Sequence, residues 1–90
     1  MSETIRLGGN IELVNVNDID GASLIILKKM IGNYARKFSE RGVDSLSVIF
    51  DPSCVKVDCI RQDEMISSDA SSNNLFFAVD TAFKDLDTRL

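Results

Sequence analysis

The sequence predicts an α+β fold: a two-layer sandwich in which two helices pack on one face of a mainly antiparallel four-stranded sheet, in the order β-α-β-β-β-α. Two segments predict the helices, because apolar residues recur at helical spacing after Asp20 and again in the closing stretch NNLFFAVDTAFKDLDTRL. A third observation predicts the sheet, since the segments between them alternate apolar and polar residues and are separated by turn-forming residues.

The first strand is predicted over residues 10–16, which are rich in β-branched side chains, and the first helix over residues 21–41. Asp20 is a good N-cap for this helix, because its carboxylate can accept backbone N–H groups of the first turn. Gly42 is expected to end the helix in the left-handed conformation. The apolar stripe of the helix consists of Leu24, Leu27, Ile31, Tyr34, Ala35 and Phe38.

Three further strands are predicted over residues 45–51, 54–61 and 64–70. A register that places Cys59 opposite Ile66 keeps both side chains on the buried face. Asn73 or Asn74 is then expected to cap the last helix. The apolar stripe of that helix consists of Leu75, Phe76, Val79, Ala82, Phe83, Leu86 and Leu90.

The length of 90 residues suits one domain. We expect this domain to span residues 10–90, and we expect residues 1–9, which end in two glycines, to form a flexible N-terminal tail. No apolar run approaches the roughly 18 residues that a membrane span requires. The first residues also lack the apolar core of a signal peptide. The sequence therefore predicts a cytoplasmic protein without a membrane partner.

Residues that carry chemistry are sparse. The chain has no histidine, and its two cysteines occupy opposite faces of one predicted strand, about 16 Å apart, so they are expected to be free thiols. The carboxylates are scattered over strands and turns, and no nucleophile–base pair is recognisable. We therefore expect no enzyme, no catalytic residue, no metal, no cofactor and no small-molecule substrate.

The element order and the closing helix resemble the family of ribosome hibernation promoting factors and ribosome-associated inhibitors, whose fold is like a double-stranded-RNA-binding domain. The family helix reads roughly D-M-Y-x-A-I-D-x-x-x-x-K-L-x-R-Q. Here its positions match Asn74, Leu75, Phe76, Ala78, Val79, Asp80 and Leu86. CIRQDEMISSD and GGNIEL are similar to the last hairpin and the opening strand of the family, whereas Asp85 and Thr88 occupy two basic positions of its helix. The resemblance implies association with the ribosome or with structured RNA.

The distribution of charge points in the same direction. The net charge is −4, but residues 24–41 carry five bases and one acid, whereas residues 42–90 carry four bases and nine acids. Lys29 and Arg36 lie about 20° apart on a helical wheel, so they share a face. The residues predicted to bind RNA are Lys28, Lys29, Asn33, Arg36, Lys37 and Arg41. The alternative is a solvated helix face that gives solubility, or a face that pairs with the acidic surface of a neighbouring molecule.

A different class of function remains open beside RNA binding, namely a protein–protein interaction module. It would use the acidic surface or the outer face of the sheet, where Ile49, Ile60 and Met65 are expected to be exposed. Gly32, in the middle of the first helix, also has two interpretations. It allows either close packing of the helix on the sheet or a gap that a ligand or an RNA backbone can approach.

Overall fold

The computed structural model describes residues 4–7, 10–17, 19–51 and 54–90. Within them the chain forms an α+β domain of five strands and two helices, and both helices contribute to one core on one face of the sheet. The elements are β1 (Thr4–Arg6), β2 (Ile11–Val14), α1 (Gly21–Glu40), β3 (Ser45–Phe50), β4 (Val55–Arg61), β5 (Glu64–Ala70) and α2 (Leu75–Arg89).

The strands lie in the sheet in the order β1-β2-β3-β4-β5. Neighbouring strands are antiparallel except for β2 and β3, which are parallel because α1 carries the chain back across the sheet between them. The α+β class and the mainly antiparallel sheet were thus predicted correctly. The number of strands was not, since the sheet has five strands instead of four.

The additional strand, β1, lies within the segment that the sequence assigned to a tail. Thr4 pairs with Val14 and Arg6 with Glu12, and Ile5 packs against the core. A strand of three residues is too short for an alternating pattern to identify it, and the two glycines after it favour a loop. The remainder of that predicted tail, residues 1–3 and 8–9, lies outside the described residues.

Local signals account for the bounds of α1. The Asp20 carboxylate accepts the backbone N–H of Ser23 at 3.0 Å. Hydrogen bonds from the Ser23 side chain and from this N–H hold the pKa of Asp20 below its usual value. Gly42, with φ at +90°, follows the last turn in the left-handed conformation that glycine adopts at little cost. The residues that α1 buries are Leu27, Ile31, Ala35 and Phe38.

A two-residue turn sets the register of the last two strands. Gln62 and Asp63 have φ values of +53° and +64°, and this type of turn matches the twist of a hairpin. Cys59 therefore lies opposite Ile66, as predicted. Both cysteines are free thiols, with Cys59 buried and Cys54 half-buried.

Asn74 is the N-cap of α2, and its side-chain oxygen accepts the N–H groups of Phe76 and Phe77 at 3.0 and 3.2 Å. Phe83 is completely buried between the helices, with its ring centroid 4.8 Å from that of Tyr34 and 5.7 Å from that of Phe38. The other buried residues of α2 are Ala78, Val79, Ala82 and Leu86. Among the described residues, no helix combines the length and apolarity needed to cross a membrane.

Candidate binding surfaces

The cations of α1 fall into two groups. Lys29 and Arg36 are exposed together with Asn33, and Lys28 beside them is half-buried. Within the described part of the chain, none of these three cations forms an ion pair. We call the surface formed by Lys28, Lys29, Asn33 and Arg36 the α1 basic face.

The other two predicted RNA-binding cations are held by the neighbouring helix. Lys37 lies 3.3 Å from the Asp87 carboxylate, and Arg41 donates both to that carboxylate and to the Asp87 carbonyl. One acid on α2 thereby pairs with two bases at the C-terminal end of α1, namely Lys37 in its last turn and Arg41 at its C-cap. The six residues predicted as one surface are therefore divided between an outward face and the junction of the two helices.

Gly32 borders a groove beside the α1 basic face. A methyl group added at Gly32 would meet nothing within 4 Å, so the glycine is not needed for close packing on the sheet, and the open gap is the interpretation that fits. The groove has a volume of about 240 Å³ and runs between α1 and the first residues of β2 and β3. Its lining includes Gly32, Ala35, Arg36, Ile11 and Leu46, which combine an apolar floor with one cation.

The interface of the two helices contains a polar contact among its aromatic rings. The Tyr34 hydroxyl donates a hydrogen bond to the Asp80 carboxylate. Burial, this bond and the negative charge of Asp80 and Asp87 together raise the pKa of Tyr34 to about 12. The ion pair with Lys84, 2.8 Å away, and the bond from Tyr34 lower the pKa of Asp80. Asp80, which matches the resembled family, thus has a structural role between the helices.

Only two of the three residues predicted to form a partner surface on the outer face of the sheet are neighbours. Ile60 lies opposite Met65 in the register of β4 and β5, and their exposed fractions are 38% and 64%. Ile49 is half-buried and lies in another row, opposite Lys56. Asp58, in the row between them, has a buried carboxylate oxygen without a hydrogen bond among the described residues. The structure therefore groups Ile60 with Met65 and separates both from Ile49.

Three exposed apolar side chains form no part of the predicted surfaces. Ile25 and Ile26 are 59% and 50% exposed at the first turns of α1, and Phe77 is 62% exposed on α2. The signal for them was present in the sequence, because all three lie off the apolar stripe of their helix.

A second cleft, of about 250 Å³, lies at the opposite end of the sheet and is lined by residues that include Asn15, Asp51, Cys54 and Ser72. The Cys54 thiol donates to the Asp51 carboxylate at 3.7 Å. Partial burial and the negative charge of Asp51 raise the pKa of Cys54, which keeps the thiol protonated and weakly nucleophilic. Among the described residues, no three His, Cys, Asp or Glu side chains are arranged to hold a metal ion.

The fold and these surfaces define a small two-layer α+β domain. Comparison with known proteins found no matching protein-family model, no matching curated protein and no matching solved structure. The resemblance to the hibernation factors therefore rests on the quoted sequence motifs alone, and the functional argument depends on the surfaces themselves.

Proposed function

We propose that this chain is a non-enzymatic binding domain that associates with structured RNA, or with the ribosome, through the α1 basic face. One observation carries the proposal: Lys28, Lys29 and Arg36 form no ion pair in the described part of the chain, whereas Lys37 and Arg41 share an ion-pair partner, Asp87. Cations on a helix surface without carboxylate partners are available to phosphate groups.

The arrangement of this face suits a phosphate backbone. Lys29 and Arg36 lie two turns apart on nearly the same line of the helix, about 10 Å from each other along its axis. Asn33 lies between them and offers hydrogen bonds that do not depend on charge. Gly32 leaves the adjoining surface open, so a sugar–phosphate backbone can approach the helix without meeting a side chain at that position.

The charge of the remaining molecule restricts the orientation of binding. The chain carries a net charge of −4, and residues 42–90 alone carry four bases and nine acids. A polyanion is repelled by this acidic part and attracted by the α1 basic face, so RNA must approach from the side of α1. Since structured RNA and ribosomes are found in the cytoplasm, that is where we expect the domain to act.

The test is a double substitution with a control of equal charge. Lys29→Gln with Arg36→Gln removes two cations from the proposed face, and Lys56→Gln with Lys84→Gln removes two from other surfaces. Binding of a fluorescent RNA duplex is measured by anisotropy over a series of salt concentrations. The first pair should lower the slope of log K against log salt by nearly 2, at about 0.9 per duplex phosphate contact, whereas the control pair should change it little.

Two results would contradict the proposal. Wild-type protein that binds neither the RNA duplex nor purified ribosomes at low salt would exclude RNA as the partner. Equal loss of affinity in the two double variants would show that only the overall charge matters. Thermal unfolding of both variants verifies that the comparison is made between folded proteins, which is expected because all four substituted residues are exposed.

A second candidate function, a protein-interaction module, is favoured by the exposed apolar side chains. Ile60 and Met65 form a contiguous pair on the outer face of the sheet, and Ile25 and Ile26 form another on α1. Ile60→Glu should abolish association with a protein partner that uses the sheet, while the Lys29 and Arg36 substitutions should leave it intact. The opposite pattern would assign the partner to α1.

A further inference from the structure

A different surface, the free edge of β5, carries an inference that is independent of RNA binding. β5 is the last strand of the sheet and pairs only with β4, and no described strand lies on its other side. An edge strand offers a row of unpaired backbone N–H and C=O groups, to which another strand can add. The opposite edge is formed by β1, which is only three residues long.

The hairpin determines which backbone groups face this edge. Arg61 and Glu64 flank the two-residue turn and form a hydrogen-bonded pair, so hydrogen-bonded and non-hydrogen-bonded pairs alternate from there along the ladder. The groups that point away from β4 are accordingly those of Met65, Ser67 and Asp69. A contact of β4 supports this assignment. The Ile60 carbonyl accepts the Asp44 N–H at 2.7 Å, so it points toward β3 and away from its partner Met65, as expected for a non-hydrogen-bonded pair.

One of these outward groups already has a partner within the chain. The Arg89 guanidinium, from the end of α2, donates to the Ser67 carbonyl at 2.7 Å. Asp85 holds this arginine at 3.0 Å and also accepts the Ser68 hydroxyl at 2.6 Å. Among the described residues, the other outward backbone groups of β5 have no such partner. Arg89 therefore occupies the centre of an otherwise open strand edge.

The sequence of β5 is compatible with its own copy. An antiparallel pair with a two-fold axis at Ser67 places all seven residues, Glu64–Ala70, opposite residues of the same segment. Glu64 then lies opposite Ala70 of the second copy, and Met65 lies opposite Asp69. Each carboxylate faces an uncharged side chain, so no like charges meet, and the exposed Met65 extends the apolar surface of Ile60 across the junction.

We propose that β5 pairs antiparallel with β5 of a second copy, joining two five-stranded sheets edge to edge, and that Arg89 weakens this association by occupying the Ser67 carbonyl. The occupant of the edge is a second copy of this chain. A partner strand with an acid opposite Glu64 or Asp69 would instead introduce a repulsion that the two-fold pairing avoids.

The first experiment uses opposite charges at one position. Sedimentation of the full chain up to about 1 mM should reveal a dimer in equilibrium with the monomer. Met65→Lys places an ammonium opposite Asp69 of the second copy at two symmetric sites, so the association constant should rise, whereas Met65→Glu should lower it. We expect each change to be at least about threefold. If both charges weaken association equally, the contact is merely apolar and the register is wrong.

The second experiment removes the side chain that hydrogen-bonds the Ser67 carbonyl. Arg89→Ala should strengthen association about threefold to tenfold, because the Ser67 carbonyl becomes available to the second copy. Lys84→Ala is the matched control, since it also removes an ion pair between residues four apart on α2 but lies away from β5. Backbone amides of Met65, Ser67 and Asp69 should gain protection from hydrogen exchange in the dimer. A chain that stays monomeric with Arg89→Ala at about 1 mM, or a dimer in which those amides stay unprotected, would overturn the proposal.

Discussion

In α2, Lys84 pairs with Asp80 and Arg89 with Asp85, each one turn away on the same helix. In α1, Lys28, Lys29 and Arg36 have no carboxylate partner among the described residues, whereas Lys37 and the C-cap residue Arg41 pair with Asp87 of α2. Cations therefore have carboxylate partners within α2 and at the junction of the helices. The cations on the outward surface of α1 have none among the described residues. Composition alone does not distinguish these cases. The pairs within α2 follow from residues four apart on one helix, whereas the contacts of Asp87 follow from the packing of the two helices.

The largest expected effect is on the free energy of unfolding, at the buried contact of Phe83 between the two helices. Phe83→Ala should lower the free energy of unfolding by about 3–5 kcal/mol, because the ring is fully buried and contacts Tyr34 and Phe38 of α1. Urea denaturation followed by circular dichroism measures the loss. Phe77→Ala is the matched control on the same helix, and its midpoint should barely move because Phe77 is 62% exposed. Equal shifts for the two variants would mean that α2 does not dock through Phe83.

An intermediate effect is expected for the polar contact between the helices. Tyr34→Phe removes the hydrogen bond to Asp80 and should cost about 1 kcal/mol. The pKa of Tyr34 is raised from 10.0 to about 12, so the fold favours the protonated phenol. This contribution is fully present below pH 10 and is lost as the pH rises through about 12.

The pH dependence can be isolated from other groups that titrate in the same range. The other titratable groups are the same in the wild type and in Tyr34→Phe, so the difference between the two proteins reports the tyrosine. The free energy of unfolding of the wild type should fall more steeply above pH 10 than that of the variant. If the free energy of unfolding depends on pH in the same way in both proteins, the pKa of Tyr34 is not raised in the folded state relative to the unfolded state.

The smallest expected effect on stability is at Asp87, the acid of α2 that pairs with Lys37 and Arg41. Asp87→Ala frees both Lys37 and Arg41, and because these are surface pairs the loss of stability should be only about 0.2–1 kcal/mol. Affinity for the RNA duplex should rise, since two cations next to the α1 basic face lose their internal partner. Asp69→Ala removes the same charge from the outer face of the sheet and serves as the control. An identical gain in the two variants would assign the effect to net charge.

Much of the fold follows from local signals. Asp20 and Gly42 were recognisable as helix boundaries, and Asn74 was one of the two asparagines expected to cap the last helix. Sequence patterns also predicted β3, β4 and β5, with the correct register at Cys59. The strand β1 escaped prediction because three residues carry no period. Its existence depends on the pairing of Ile5 with Leu13, which is a tertiary contact.

The candidate surfaces were less predictable for a similar reason. A helical wheel places Lys37 and Arg41 near the basic stripe of α1, but it cannot reveal that Asp87 of another helix lies within reach. Likewise Ile49, Ile60 and Met65 share the outer face of the sheet, yet only the register decides that Ile60 and Met65 are neighbours and Ile49 is not. Which residues share a face is a local property, whereas which of them are accessible is decided by tertiary packing.

The parallel pairing of β2 with β3 has a consequence for how the chain reaches this structure. The other described strand pairs join segments that are separated by short connections. The segment between β2 and β3, in contrast, contains the whole of α1. Closing that long loop carries an entropic cost that the hairpin of β4 and β5 does not incur, and non-local contacts of this kind slow folding. The folding rate should therefore depend on α1, which connects the one distant strand pair of the described sheet. The same helix carries the cations that have no ion-pair partner among the described residues.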